Sequence, residues 1–148
     1  MGTVRIVIDT NIAFSAILNS NSKIGRIILH PKTNLNFYST HQLLEELEEH
    51  KTKLKLISGY SDSELDEVIR LITQKIRFIN IKLIPIEIFA MAETIVGDID
   101  IDDTEFVALS EHAKAKLWTG DKKLIAGLAK KNWKRLISTD ELFLLIQK

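Results

Sequence analysis

The sequence predicts a three-layer α/β/α sandwich around a mostly parallel five-stranded sheet. Short β-branched apolar runs recur along the chain, segments with helical apolar spacing alternate with them, and whole helices separate consecutive strands. Strands spaced in that way cannot pair as hairpins, so crossovers must join them into a parallel sheet with helices on both faces.

The elements follow in order. Residues 4–8 (VRIVI) form the first strand, which stops abruptly at Asp9. Helical patterns cover 11–18 and 24–30, a second strand covers 35–39, and a third helix covers 40–50. The cluster KTKLK at 51–55 is the only notable basic run and reads as a solvated helix end or turn. A long helix is expected over 62–78. It opens with Ser61 and Glu64 at capping-box spacing and carries Leu65, Val68, Ile69, Ile72 and Ile76 on one face. The third strand is placed at 81–86, and helices follow at 87–95 and 104–113. Strands at 115–119 and 133–138, with helices at 122–130 and 140–147, complete the pattern.

Composition bounds the function. The 148 residues include 22 Ile and 19 Leu, enough for one substantial core, so a single domain over 1–148 is expected. No cysteine is present, which excludes disulfides, thiolate zinc sites and a cysteine nucleophile and fits a reducing, cytoplasmic setting. The five-residue apolar run near the start is broken by Asp9 and too short for a signal-peptide core, and no apolar run approaches the roughly 18 residues of a membrane span. Lysine plus arginine equals aspartate plus glutamate at 20 each, so there is no global basic field, and any nucleic-acid contact must be local.

The acids carry the chemistry. Asp9 stands at the carboxyl end of the first strand and Asp121 just past the fourth, while Asp98, Asp100, Asp102 and Asp103 precede the helix leading into the fourth. Open α/β sheets bind ligands outside the carboxyl ends of their strands, so these acids share one rim. Any single one could be a helix cap, Asp102 most readily, because a helix opens just after it. Crowded carboxylates repel unless protons or a cation neutralise them. With no Cys and no clustered His, they form a hard oxygen set suited to Mg²⁺ or Mn²⁺ and to a substrate carrying its own oxygens, such as a phosphodiester.

Rival readings fit less well. The run 98–103 offers acids at the first, third and fifth positions of an EF-hand loop, but Asp103 replaces the glycine at position six and Leu109 the glutamate at position twelve. A receiver-type phospho-switch would need paired acids after the first strand, where Asp9-Thr10-Asn11 stands instead. GxGxxG, GxxxxGK[ST], GxSxG and HExxH are all absent, and His30, His41, His50 and His112 are scattered. Trp118 and Trp133 fall on strand patterns and read as core.

Four motifs in register resemble a PIN domain (PilT N-terminus). They are Asp9-Thr10-Asn11 after a hydrophobic strand, Leu43-Leu44-Glu45-Glu46-Leu47 in an early helix, Asp100-Ile101-Asp102-Asp103 opening a helix, and Leu117-Trp118-Thr119-Gly120-Asp121. The resemblance spans nearly the whole chain. It is closest to stand-alone bacterial PIN proteins grouped as toxin components of toxin-antitoxin systems, the VapC-like ribonucleases. It implies metal-binding and catalytic acids at Asp9, Glu46, Asp103 and Asp121, with Asp100 as a fifth ligand. Glu45 competes with Glu46 for the helix position, and Glu46 is preferred because Leu47 follows it in the family's order. Asn11 and Thr119 match polar supporting positions, and Lys122 and Lys123 stand where they could meet a phosphate.

The implied activity is metal-dependent hydrolysis of RNA by in-line attack of water, without a covalent intermediate. The implied partners are RNA, a cognate antitoxin and a second copy. Separately from the resemblance, the zero net charge leaves RNA affinity to a local source, and a groove lined by Lys51, Lys53 and Lys55 in a dimer is the expectation drawn from the sequence. A catalytically silent PIN-like scaffold that only binds protein is the alternative.

Overall fold

In the computed structural model, which describes residues 3–31 and 34–147, five parallel strands form one sheet in the order β3-β2-β1-β4-β5. Nine α-helices among the described residues flank it, giving the three-layer α/β/α arrangement expected from the sequence. The central strand β1 (Val4–Ile8) pairs on one side with β2 (Leu35–Thr40), Ile6 opposite Phe37. On its other side β1 pairs with β4 (Lys116–Trp118), Ile8 opposite Trp118. Strand β3 (Ile76–Ile79) lies outside β2, and β5 (Leu136–Ile137) lies outside β4. The chain moves outward from β1 to β3, then returns to the far side of β1 for β4. That reversal opens a crevice at the carboxyl ends of β1 and β4.

Helices α1 (Thr10–Leu18), α2 (Lys23–Leu29), α3 (His41–Glu49), α4 (Lys51–Ser58), α5 (Asp62–Thr73) and α9 (Thr139–Ile146) pack on one another. A second group is formed by α6 (Ile86–Val96), α7 (Thr104–Ala113) and α8 (Lys122–Lys130), with α7 lying against β1, β2 and β4. The β-branched strands bury Ile6, Val7, Ile8 and Leu117 between these layers, together with Trp118 and Phe106. Burial of such side chains is the main stabilising term, about 25 cal/mol for each Å² of apolar surface removed from water. Trp118 is core as expected, and its ring Nε1–H donates to Thr139 Oγ1 at 2.9 Å.

Four local expectations are corrected. The third strand is 76–79, not 81–86, and Ile81–Leu83 is a single 3₁₀ turn. The helix expected over 62–78 therefore ends at Thr73. Its capping box is present, with Ser61 Oγ accepting from Glu64 N–H and Glu64 Oε1 accepting from Ser61 N–H. The cluster at 51–55 belongs to a full helix, α4, closed by Gly59 in the left-handed conformation (φ 75°), which places its N–H on the Lys55 carbonyl. Lys51 and Lys55 are bound there to Asp66 and Asp62 at 2.7 and 2.9 Å, so of the three lysines assigned to a groove two are ion-paired within the chain. The fifth strand is also shorter than 133–138, because Trp133, whose Nε1–H donates to Glu111 Oε1, lies before it.

Candidate metal centre

A polar cleft of about 160 Å³ opens at the crevice between β1 and β4. Asp9 and Thr10 enter it from the β1–α1 junction, Glu46 and Gln42 from α3, Asp100 and Asp103 from the turn before α7, and Asp121 from the start of α8. Residues far apart in sequence meet because each follows a strand or opens a helix on the same edge of the sheet.

Capping geometry fixes several of these side chains. Asp9 Oδ1 accepts the Ile12 N–H at 3.0 Å at the N-terminus of α1. Asp121 Oδ1 accepts from Lys123 and Leu124 N–H at 3.0 and 3.2 Å, capping α8. The cap at the turn preceding α7 is Asp100, whose Oδ1 accepts the Asp102 N–H at 3.0 Å, and not Asp102 as expected. Capping and cation binding are compatible, since a carboxylate that spends one oxygen on a backbone N–H keeps the other. Asp103 occupies the cap position of α7 but makes no capping bond, and its Oδ2 is buried without a hydrogen-bond partner.

Carboxylate oxygens of Asp100, Asp103 and Asp121 all lie within 4.8 Å of one another. Asp100, expected only as a fifth ligand, thus sits inside the tightest group. Asp9 and Glu46 border the same cleft, whereas Glu45 is exposed on α3 beside Glu48 and Glu49. Asn11 is exposed on the cleft wall. Buried Thr119 hydrogen-bonds the Asp9 carboxylate, and its Oγ1 accepts the Asp121 N–H at 3.1 Å. Lys122 and Lys123 are exposed in the first turn of α8 and do not line the cleft.

Two residues of the cleft were not expected from the sequence. Thr10 Oγ1–H donates to Glu46 Oε1 at 2.9 Å, and Gln42 Nε2–H donates to the same oxygen at 3.0 Å and to the Asp102 carbonyl at 2.8 Å. Gln42 therefore ties α3 to the acidic turn. The one signal available in sequence was its position four residues before Glu46, on the same helix face.

The sequence profile of the PIN domain matches residues 7–140. The chain belongs to the PIN-domain family. The crystal structure of PAE2754 from Pyrobaculum aerophilum is similar in fold, with a TM-score of 0.65 over 99% of this chain and 93% of that one, at 16% sequence identity. No significant match is found among curated proteins. PIN domains are generally nucleases that use divalent metal ions, so family membership points to nuclease-type function, and the three-acid group lies where this PIN domain has its cleft.

The electrostatics of the cleft are those of a site short of positive charge. Asp9, only 2% exposed, has its carboxyl pushed up to about 6, chiefly by burial, with Asp121 and Glu46 adding repulsion against the lowering bonds from Thr119 and Ile12. Asp103 is pushed up to about 7 by burial and then by Asp100, Asp9, Asp121 and Glu46. Among the described residues no Lys or Arg lines the cleft.

Among the described residues no helix is long and apolar enough to cross a membrane.

Proposed function

We propose that this PIN domain, taken as one unit over 1–148, is a metal-dependent endoribonuclease acting on RNA phosphodiester bonds. The observation that carries the reading is Asp103 Oδ2, a buried carboxylate oxygen without a donor, set among Asp100 and Asp121 in a cleft where none of the described residues offers a side-chain cation. A buried acceptor with no donor is costly, and a hard divalent cation would satisfy it. The donor set is entirely oxygen, which fits Mg²⁺ or Mn²⁺.

Asp100, Asp103 and Asp121 would hold the ion, with Asp9 and Glu46 completing the cluster. When bound, such an ion offsets the carboxylate charge and polarises both the phosphodiester and the attacking water. The chain's own residues prepare the site for it. Thr10 and Gln42 hold Glu46 in one orientation, Thr119 and the α1 cap hold Asp9, and the α8 cap holds Asp121. The remaining carboxylate oxygens are positioned to accept a proton from water or from a substrate hydroxyl. Asn11 on the cleft wall and Lys122 and Lys123 at its edge are assigned to contacts with flanking substrate. The same reading makes the protein the toxin component of a toxin-antitoxin pair, cytoplasmic and dimeric, restrained by an antitoxin.

Calorimetric titration of Mn²⁺ into wild type, Asp9→Asn and Asp103→Asn, followed by cleavage of single-stranded RNA in Mn²⁺ and in EDTA, tests the proposal. Binding weakened by both substitutions, with cleavage lost in EDTA, is the expected result. Absence of Mn²⁺ binding by wild type at millimolar concentration would favour the catalytically silent scaffold.

A further inference from the structure

A polyanionic substrate needs cations, and among the described residues the acidic cleft supplies none from its side chains. Elsewhere on the surface Lys23, Lys51, Lys55, Arg70, Lys131 and Arg135 are each matched to a carboxylate, while others, such as Lys53 and Lys130, stand singly without an ion pair among the described residues. Three cations at the opposite end of the sheet have no such partner among the described residues: Arg5 in β1, and Lys75 and Arg77 at the start of the edge strand β3. Register brings them together. Arg5 lies opposite Asn36 and Arg77 opposite Tyr38 on the intervening strand, so these four side chains share one face of the sheet. The Arg77 guanidinium lies over the half-buried Tyr38 ring, 5.9 Å from its centroid. Arg5 spends one N–H on the Ala113 carbonyl at 2.9 Å and keeps its remaining donors.

Two adjoining hollows, of about 360 and 290 Å³, share Tyr38 as a wall. Lys75 and Arg77 line the first, Arg5 and His112 line the second, and no Asp or Glu lines either. We propose that this open sheet corner is a docking surface for single-stranded nucleic acid, with Arg5, Lys75 and Arg77 on phosphates and the Tyr38–Arg77 pair as a platform for a base. Charge complementarity selects this occupant. Three unmatched cations beside an aromatic ring and an amide suit a chain of phosphates carrying π-faces. A protein partner would have to bring its own acids to the same corner. The net charge of zero conceals an acidic cleft at the carboxyl ends of the strands and a cationic corner at the amino ends of β1 and β3. The corner would hold the strand and leave the chemistry to the distant cleft.

The choice of nucleic acid rests on the nuclease reading, but the measurement does not, because binding is read in EDTA, where no metal-dependent cleavage occurs. Fluorescence anisotropy of a labelled single-stranded RNA of roughly a dozen nucleotides is followed across a salt series with the full-length protein. Arg5→Gln/Arg77→Gln is expected to weaken binding by about tenfold and to flatten the salt slope by about 1.4, at about 0.7 for each phosphate no longer neutralised. Lys130→Gln/Lys134→Gln removes the same charge elsewhere, at exposed positions, and should do neither. Lys75→Gln lies just outside the strand, so the same charge test can be made with the strand sequence intact. Tyr38→Leu should weaken binding several-fold with the slope unchanged. Equal losses in both double variants would reduce the effect to net charge and overturn the proposal. So would unchanged RNA binding in Arg5→Gln/Arg77→Gln, and a simultaneous fall in sedimentation mass would then assign the corner to a second copy. A protein that binds RNA through this corner yet never cleaves it would leave the corner standing and the nuclease reading refuted.

Discussion

The cleft and the α4–α5 hairpin are both rich in acids, and they treat them in opposite ways. In the hairpin, Asp62 and Asp66 are exposed and face Lys55 and Lys51, and the Lys55 ammonium holds the Asp62 carboxyl below its usual range. In the cleft, Asp103 and Asp9 are withdrawn from water and face other acids, which drives both carboxyls upward. The hairpin neutralises itself. The cleft leaves a charge deficit that stability alone would have removed, and a buried group kept in that condition is a mark of function.

The largest effect is expected at Asp103. Asp103→Asn removes a charge from the crowded group and supplies an N–H₂ that can donate to Asp100 or Asp121. Thermal unfolding of the metal-free protein at pH 8 should therefore move upward by about 3–6 °C, roughly 1–2 kcal/mol for a domain of this size. Mn²⁺ affinity in calorimetry should fall by more than the roughly 10–100-fold that loss of an outer partner costs. Gain of stability with loss of binding is the signature. A drop in both would mean that Asp103 is structural.

Next comes the support of Glu46. Gln42→Leu removes a donor from Glu46 Oε1 and the tie to the Asp102 carbonyl, while Thr10 still holds the carboxylate. Mn²⁺ affinity should fall about tenfold. Glu45→Gln, on the exposed side of the helix, should leave it unchanged. Reversed results would move the helix ligand to Glu45.

These two residues also mark what the sequence could and could not reveal. Strand ends were readable because apolar runs stop at or just before an acid, and Asp9 and Asp121 followed from that, whereas Asp103 stood out in the acidic run 98–103 ahead of a helix. The bonds that fix Glu46 span 36 residues to Thr10, and the Gln42–Asp102 tie spans 60, and no local pattern encodes either. The misplaced third strand has a different cause. The apolar stripe of α5, ending at Ile72, continues in phase to Ile76, so helical periodicity runs through the break at Gln74 and Lys75. A second apolar run at 81–84 then imitates the strand that had been passed. Helix α4 was concealed because Leu54 is its only buried side chain, leaving little of the apolar stripe by which helices are recognised.

A third test uses pH. Asp9 and Asp103 have folded-state values of about 6 and about 7, above the ordinary 3.8. For carboxyls raised in this way, folding binds protons, so their stabilising contribution is complete below about pH 4 and is lost as pH rises through 6 to 7. Metal-free protein should therefore gain stability on acidification from pH 8 to pH 5. Asp9 alone contributes on the order of 3 kcal/mol over its full range. Saturating Mn²⁺ should reverse that slope, because protons then compete with the cation. Chemical denaturation at several pH values, with and without Mn²⁺, reads both slopes, and a flat metal-free profile would remove the electrostatic strain from the account.

The smallest effect belongs to the hairpin. Lys55→Ala breaks an ion pair whose members both reach solvent, and its Coulomb gain is largely cancelled by hydration and side-chain entropy. The melting temperature should move by no more than about 2 °C, and the difference should vanish at high salt. Asp62→Asn should do the same, whereas the shift at Asp103→Asn should persist in salt, because its charges are partly buried and screened less. A salt-resistant loss at Lys55 would show that the hairpin is stabilised by its charges as the cleft is strained by them. A salt-sensitive one leaves the two acidic regions as different in energy as they are in geometry.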